Sequence, residues 1–511
     1  MLHKNENPDS PKQTHWTCGS YRARLQTTAV DLPFRPGGIL DALSEQEDPV
    51  MLDSAALHET YGRHSIVACR PAEVLSLRDG VLQDARGNIL ARGDDEAIWA
   101  ALTGAFGAIR ARPVGGAYGP GWIGYIGYEV GRHIERLPAR AVRDTSLPDM
   151  RLAFYDSILL YDALKSKWSL VSLEFDGPRP FDGTSRDALL AVAGASAGSS
   201  AAAAEPTERA DAACKPLAED AESNFTPEEY RRAVTACTDY IAAGDIFQVN
   251  LSQRFTVPDA PQPVAIYRAL RNRNPAWYSA YMTFESTDRR CAVLSSSPEL
   301  FLRVRGARVI TRPIKGTRPR TTDALANSRA ASSLLSSPKD NAELAMIIDL
   351  LRNDLGRVCE FGSVRVSDPR ALETHPTVFH LVGTVEGDLR PDVGPADLLT
   401  ATFPGGSITG APKIRAMEII DQLEPVARGP YTGCIGILGV DGSCEWNIVI
   451  RTIVCDGPVA HVQVGGGIVA DSTPEGEYQE TLDKARAMLE AIARARIETH
   501  SQSAQHPEIT A

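Results

Sequence analysis

Within the stretch TRPIKGTRPR, Arg312, Lys315, Arg318 and Arg320 stand in ten residues that contain no acid. Extending back to Phe301 adds Arg303, Arg305 and Arg308, although the chain as a whole carries a formal net charge of −12. A basic segment on an acidic protein suits a small anionic ligand better than a nucleic acid. Lys315 is the residue with the most chemistry to offer. A lysine flanked by guanidinium groups and partly withdrawn from water has its charged form disfavoured, so more free amine is available at neutral pH. A free amine is a nucleophile or a base, whereas an ammonium is a point charge. An anion-binding lysine satisfies the same residues, and at this stage both chemistries stay open. Glu299, in SSSPELFLR sixteen residues earlier, offers a carboxyl on a neighbouring strand. A carboxyl and an amine in one partly dry site make an acid and a nucleophile.

Four further carboxylates come in two pairs. In PKDNAELAMIIDLLRNDLG, Asp340 and Glu343 are three residues apart on one helix face, and Glu343 lies in line with Ile347 and Leu350 on an apolar stripe. In DSTPEGEYQETLDKA, Thr473 and Pro474 open a helix that carries Glu477 and Glu480 at the same spacing. Either pair alone reads as solvated helix charge. Two pairs without His or Cys suit a hard cation such as Mg²⁺, which shares itself between protein, water and ligand oxygens.

Two glycine-rich stretches could bring backbone close to a ligand. TFPGGSITGAPKIRAMEII runs into a helix near Pro412, whose free N–H groups favour an anion. Gly405 and Gly410 have the separation of a P-loop, but Lys413 comes too late and no Ser or Thr follows it, so a Walker A assignment fails. In VQVGGGIVADS, Gly465, Gly466 and Gly467 end a strand, where close approach to a ligand explains them and tight packing explains them somewhat more readily.

The elements that must position these groups can be read coarsely. Residues 21–176 contain short strand-like runs broken by Gly, Pro and Asp, including GWIGYIGYEVG, in which glycines and aromatics alternate as in a strand meeting another backbone closely. Residues 177–224 shift to small, polar, non-periodic sequence and read as a solvated linker, partly disordered. Thr226, Pro227 and Glu229 then form a helix-opening capping box, Gly244 stops that helix, and DIFQVNLSQRFTV alternates as a strand. Strands are expected over 292–296, 300–304, 307–312, 433–440, 446–454 and 459–464, and helices near 339–354, 412–422 and 474–494. Residues 225–495 therefore form the expected catalytic domain, flanked by flexible tails at 1–20 and 496–511. Strands cluster instead of alternating with helices, so the fold class is α+β. At 511 residues, with 43% hydrophobic and 23% charged residues, the chain builds a core without metal or disulfides. Nine scattered cysteines without a C-x-x-C pair point to a reducing, cytoplasmic setting. The N-terminus has no apolar signal-type region, and no apolar run is long enough to cross a membrane.

Together, GDIFQVNLSQRF, SSSPELFL, PIKGTRPR, MIIDLLRNDLGRV, HLVGTVEG, FPGGSITGAPKIRAMEIID, GPYTGCIG and GGGIVADSTPEGEYQET resemble the chorismate-utilising enzymes, densely over residues 225–495. GRHSIVACRP and GYIGYEVGR extend the likeness more thinly across residues 50–175. The resemblance implies large antiparallel sheets packed as a β-sandwich with helices outside. Lys315 is similar to the branch that makes 4-amino-4-deoxychorismate, on the route to para-aminobenzoate and folate. Anthranilate and isochorismate synthases typically carry alanine there, and an anthranilate-forming large subunit is the alternative. Gln248 stands where water-using relatives place a base lysine. The resemblance further implies that Glu343 and Glu480 hold Mg²⁺ against the ring carboxylate, with Asp340 and Glu477 assisting through water. Relatives usually have glutamate at position 340, and the shorter aspartate reaches less far. Glu299 would protonate the leaving C4 hydroxyl, Lys315 would attack C2, and His380 would support the leaving-group side. Gly316 and Thr317 would line the ring, with Gln248 beside it. Thr409, Tyr431, Arg451, Gly465 and Gly467 would contact the substrate carboxylates. No glutaminase motif is present, so ammonia is expected from solution or from a separate glutamine amidotransferase subunit. Relatives hold tryptophan near a Leu-Glu-Ser stretch. MLDSA departs from it, so inhibition by tryptophan is not expected.

Overall fold

The computed structural model describes residues 20–56, 58, 60–112, 118–181, 185–197, 220–287, 289–375 and 378–505. Two large, mostly antiparallel sheets of 13 and 12 strands form its frame. In the first, the strands Gln248–Val257, Val459–Ile468, Thr452–Asp456, Arg289–Ser297 and Tyr278–Ser286 lie side by side. They continue through Val50–Asp53 into strands from the N-terminal third. In the second, Val378–Asp388, Arg308–Arg312, Leu300–Arg305, Cys444–Ile448 and Cys434–Gly439 continue through Gly121–Ile126 in the same way. Residues 21–176 and 225–495 thus share both sheets.

The inner faces meet in one apolar layer, with Val50, Ile66, Ile158 and Val293 from the first sheet against Ile123, Tyr125, Ile435 and Ile437 from the second. Helices cover the outer faces. Pro474–Gln505 and Pro263–Arg273 lie on the first, and Pro338–Gly356 packs against the second. This is the expected α+β sandwich. The glycines of the GWIGYIG strand answer to its neighbours within the second sheet: a Cβ on Gly121 or Gly124 would fall inside the carbonyls of Leu438 and Arg151 on the two flanking strands.

Local signals produced local structure. Thr226 caps the helix Pro227–Ala242 with a reciprocal capping box, its Oγ1 accepting the Glu229 N–H at 3.2 Å. Three expectations need correction. The supposed strand 446–454 is two strands, Cys444–Ile448 and Thr452–Asp456, because the backbone turns at Arg451, which has φ +52°. The supposed linker 177–224 contains the helix Ser185–Ala197, which buries Leu189 and Val192 against the first sheet. Its small residues hid that apolar stripe. The C-terminal helix runs on to Gln505, into the segment read as a tail. The N-terminal tail up to residue 19 lies outside the described residues, as do residues 198–219 of the linker.

Candidate active site

Lys315 sits on the strand Ile314–Pro319, antiparallel to Val378–Asp388. The pairing slips between Lys315 and Thr317, and Gly316 takes up the slip with φ +77°, a conformation glycine adopts without strain. A Cβ there would also stand 2.7 Å from Leu334 Cδ1 and 2.9 Å from Asp340 Oδ1. Past the bulge, Thr317 is paired with His380, and its Oγ1 lies 2.9 Å from His380 Nδ1. Lys315 Nζ donates to the Ser407 carbonyl at 3.2 Å and lies 3.6 Å from where a Cβ on Gly467 would be.

Ser407 also serves Glu299. Its Oγ donates to Glu299 Oε1 at 2.6 Å, and Glu299 is only 4% exposed. Burial pushes this carboxyl up to about 7, against the opposing pull of the Ser407 hydrogen bond and the Lys315 charge. Burial likewise lowers Lys315, although Glu343 and Glu299 favour its charged form. Desolvation pushes His380 well down, with Arg451 adding to the effect, so its ring is neutral. Arg451 is itself lowered by burial and feels the Glu299 charge. The result is a dry pocket in which an acid can stay protonated and an amine can be free.

The Gly-rich strand end meets side chains on both faces. Gly467 faces Gln248 and Lys315, and Gly465 faces Asn250, while Gly466 faces the carboxylates of Glu477 and Glu480 at 3.0 and 3.3 Å from a built Cβ. The helix Pro474–Gln505, with Thr473 Oγ1 accepting the Gly476 N–H at 3.2 Å, carries those two acids. Glu477 Oε1 accepts from Ser472 at 2.6 Å, and burial raises this carboxyl. Its Oε2 is buried without a hydrogen-bond partner among the described residues. Glu480 pairs with Lys484 at 2.7 Å; partial burial opposes its ionisation, but Lys484 holds it below the usual range. Glu343, on the helix Pro338–Gly356 capped by Ser337, is raised by burial and feels both Lys315 and Glu480.

Among the described residues, no three His, Cys, Asp or Glu side chains stand together as a ready metal site. The donor set nevertheless fits a hard divalent cation. It is all carboxylate, and the orphaned Glu477 oxygen is an acceptor awaiting a partner. Asp340 fits less well, because it faces Gly316 and accepts from Arg318 Nη2 at 2.9 Å.

Thr409 and Tyr431 are buried beside a charge pair that sequence reasoning missed. Arg428 and Glu424, 1% and 2% exposed, bond to each other at 2.7 Å. Arg428 donates to the carbonyls of Ile408 and Asn250 at 3.3 and 2.7 Å, and the Asn250 N–H reaches the Thr409 carbonyl at 2.8 Å. Burial raises the Tyr431 hydroxyl above its ordinary range. Thr432 and Arg451 both take positive φ, at +61° and +52°, unusual for residues with a β-carbon. Ser407, Lys484 and Asn250 were also unforeseen. Only Lys484, four residues after Glu480, left a visible spacing signal. Thus Lys315, Glu299, His380, Gly316, Thr317, Gln248, Gly465 and Gly467 converge with Glu343, Glu477 and Glu480; Arg451 stands near Glu299 and His380, and Thr409 and Tyr431 lie beside Asn250 and Arg428.

Residues 53–490 match the family model described as chorismate binding enzyme. Aminodeoxychorismate synthase component 1 of Klebsiella aerogenes is 37% identical over 474 residues, 92% of this chain and 99% of its own length. Anthranilate synthase component 1 of Thermus thermophilus is 40% identical over 433 residues, 85% of this chain and 90% of its own. The crystal structure of anthranilate synthase component I from Streptococcus pneumoniae superposes with a TM-score of 0.68 at 32% identity, covering 85% of this chain and 94% of that one. The relatives divide between two activities at similar identity. With the family model spanning most of its length, this chain belongs to the chorismate-binding enzyme family.

Proposed function

We propose that this chain is the synthase component that converts chorismate and ammonia to 4-amino-4-deoxychorismate, with Lys315 as nucleophile. The observation that carries the reading is the half-buried Lys315 amine, joined through Ser407 to a carboxyl held near neutrality at Glu299. Glu299 gives its proton to the departing C4 hydroxyl, which leaves as water. Lys315 Nζ forms a bond to C2 as the ring double bonds shift. Ammonia then bonds to C4, the C2–nitrogen bond breaks, and its electrons return to Lys315. The surplus proton goes back to Glu299, so the net change is loss of water and gain of an amine. His380 is neutral and orients Thr317 at the ring side. Gly316 and Thr317 line the ring, and Thr409, Tyr431, Arg451, Gly465 and Gly467 contact the carboxylates. Glu343 and Glu480 would hold Mg²⁺, with Glu477 and Asp340 assisting through water, and the cation would supply the positive charge that neutralises the ring carboxylate. Gln248 carries no base, which suits ammonia better than water because ammonia attacks without prior deprotonation.

Ammonia comes from solution or from a glutamine amidotransferase subunit, a supply that accords with the lack of a glutaminase motif in these 511 residues. A reducing, cytoplasmic setting accords with the seven described cysteines, all buried and unpaired. No helix among the described residues is long and apolar enough to cross a membrane.

The second reading is an anthranilate synthase component, favoured by the 40% identity to the Thermus protein. Incubating the purified chain with chorismate, magnesium and ammonium chloride decides between them. A product that yields para-aminobenzoate only after a lyase is added supports the proposal. Fluorescent anthranilate formed without any lyase overturns it.

A further inference from the structure

Gln248 and Asn250 carry two buried acceptor oxygens that nothing among the described residues satisfies. Gln248 is 1% exposed and Asn250 8%, and neither Gln248 Oε1 nor Asn250 Oδ1 has a hydrogen-bond partner. Buried polar atoms without partners are rare and costly, so a pair of them on the strand facing the glycine-rich end that Lys315 approaches calls for a ligand. The two residues lie two apart on the strand Gln248–Val257 and share one face. Asn250 is directly opposite Gly467 in the ladder, and Gly467 also looks onto Gln248 and Lys315. Gln248 Nε2 comes within 2.4 Å of where a Gly467 Cβ would be, and Asn250 Oδ1 within 3.0 Å of where one on Gly465 would be, so both amides lie against the three-glycine strand end. The Asn250 backbone is committed on both sides, its N–H to Thr409 at 2.8 Å and its carbonyl to Arg428 at 2.7 Å. Only the side chain is left to act.

We propose that the Asn250 amide, together with that of Gln248, binds the ammonia that attacks the ring, an inference that rests on the amination read above. Ammonia is small and neutral, with three N–H donors and one lone pair that must stay free for carbon. Two amide oxygens accept two of its hydrogens and leave the lone pair unengaged. A carboxylate in their place would prefer ammonium, whose lone pair is already spent on a proton. The amides therefore take up the nucleophile and aim it, and Asn250 joins Gln248 in setting nucleophile preference.

The test is steady-state chorismate depletion with ammonium chloride as the only nitrogen source and saturating magnesium. N250A is expected to raise the KM for ammonium by about tenfold or more and to leave the KM for chorismate within about twofold. A chorismate KM that rises as much as the ammonium KM, or an ammonium KM that does not move, overturns the proposal. N250D preserves the side-chain shape but supplies an anion, so its pH–rate profile should move upward by about one unit. A profile superimposable on that of the unsubstituted chain overturns the proposal even where N250A cannot be obtained folded. Depletion kinetics do not depend on which ring carbon is aminated. Amination at C2 would therefore refute the proposed product and leave the role of Asn250 standing. Loss of chorismate without nitrogen incorporation would refute both.

Discussion

Glu299 and Lys315 meet at a single residue: Ser407 gives its hydroxyl to the carboxyl at 2.6 Å and its carbonyl to the amine at 3.2 Å. An acid and a nucleophile tethered to one backbone unit keep their spacing whatever the rest of the pocket does. That arrangement favours two coupled steps on one ring over a lysine that merely offers positive charge.

Replacing Lys315 by alanine should abolish formation of the C4-aminated product while ammonia can still reach C2, because the pocket remains and the covalent detour is gone. Liquid chromatography with mass detection reads this directly. A C4 product from Lys315→Ala at the original rate would remove the lysine from the mechanism.

Glu299 acts as an acid only while protonated. With its carboxyl near 7, turnover should decline as pH rises through 7, and Glu299→Gln should lose activity at every pH. Stability carries the same sign. A pKa raised from 4.5 to about 7 on folding contributes stability that is complete below 4.5 and lost as pH rises through 7. Chemical denaturation of the unsubstituted chain at pH 5 and pH 8 should differ by an amount on the order of 3 kcal/mol more than that of Glu299→Gln. Equal differences in the two proteins would mean that the carboxyl is not perturbed.

Removing magnesium with a chelator should stop turnover, and adding it back should restore it. Glu477→Gln should weaken magnesium binding by about tenfold or more in a calorimetric titration, since it alters the one orphaned oxygen of the cluster. Asp340→Asn should change it by no more than about twofold, because Arg318 already holds that carboxylate. The reverse ranking would show that the helix Pro338–Gly356 and not the C-terminal helix dominates the cation site.

Gly467→Ala would place a methyl group into the Gln248 amide and 3.6 Å from Lys315 Nζ. Activity should fall by roughly a hundredfold with little change in thermal midpoint, since displacement of about 1 Å in the reacting geometry suffices for such a loss. Full activity would place the chemistry away from the three-glycine strand end.

Arg428→Met should destabilise the fold by about 3–5 kcal/mol, because it leaves Glu424 charged and buried without its partner. Urea denaturation of the folded variant checks this. A change below about 1 kcal/mol would mean that water reaches the pair.

Periodicity and capping made much of the frame legible from the chain. Thr226–Glu229 opened its helix as written, Glu343 lay on the stripe with Ile347, and the glycines of the GWIGYIG strand marked a close backbone crossing. These signals are local: a cap or a 3.6-residue stripe is satisfied within a few residues, so sequence alone determines it. The cationic run and the acid pairs also announced themselves, because residue type and spacing are sequence properties.

What sequence could not decide depends on partners far along the chain. Arg318 claims Asp340, the 428–424 ion pair clamps Asn250, and Ser407 joins Glu299 to Lys315 across 108 and 92 residues. The break at Arg451 and the helix within the supposed linker were likewise hidden. The first is a backbone turn between two strands that each read as β, and the second gains its order from burying Leu189 and Val192 on a distant sheet. Burial is a property of the assembled fold, and it is burial that raises the Glu299 carboxyl and lowers the Lys315 amine. The chain specified which groups were available, and tertiary packing decided which of them carry charge and which can react.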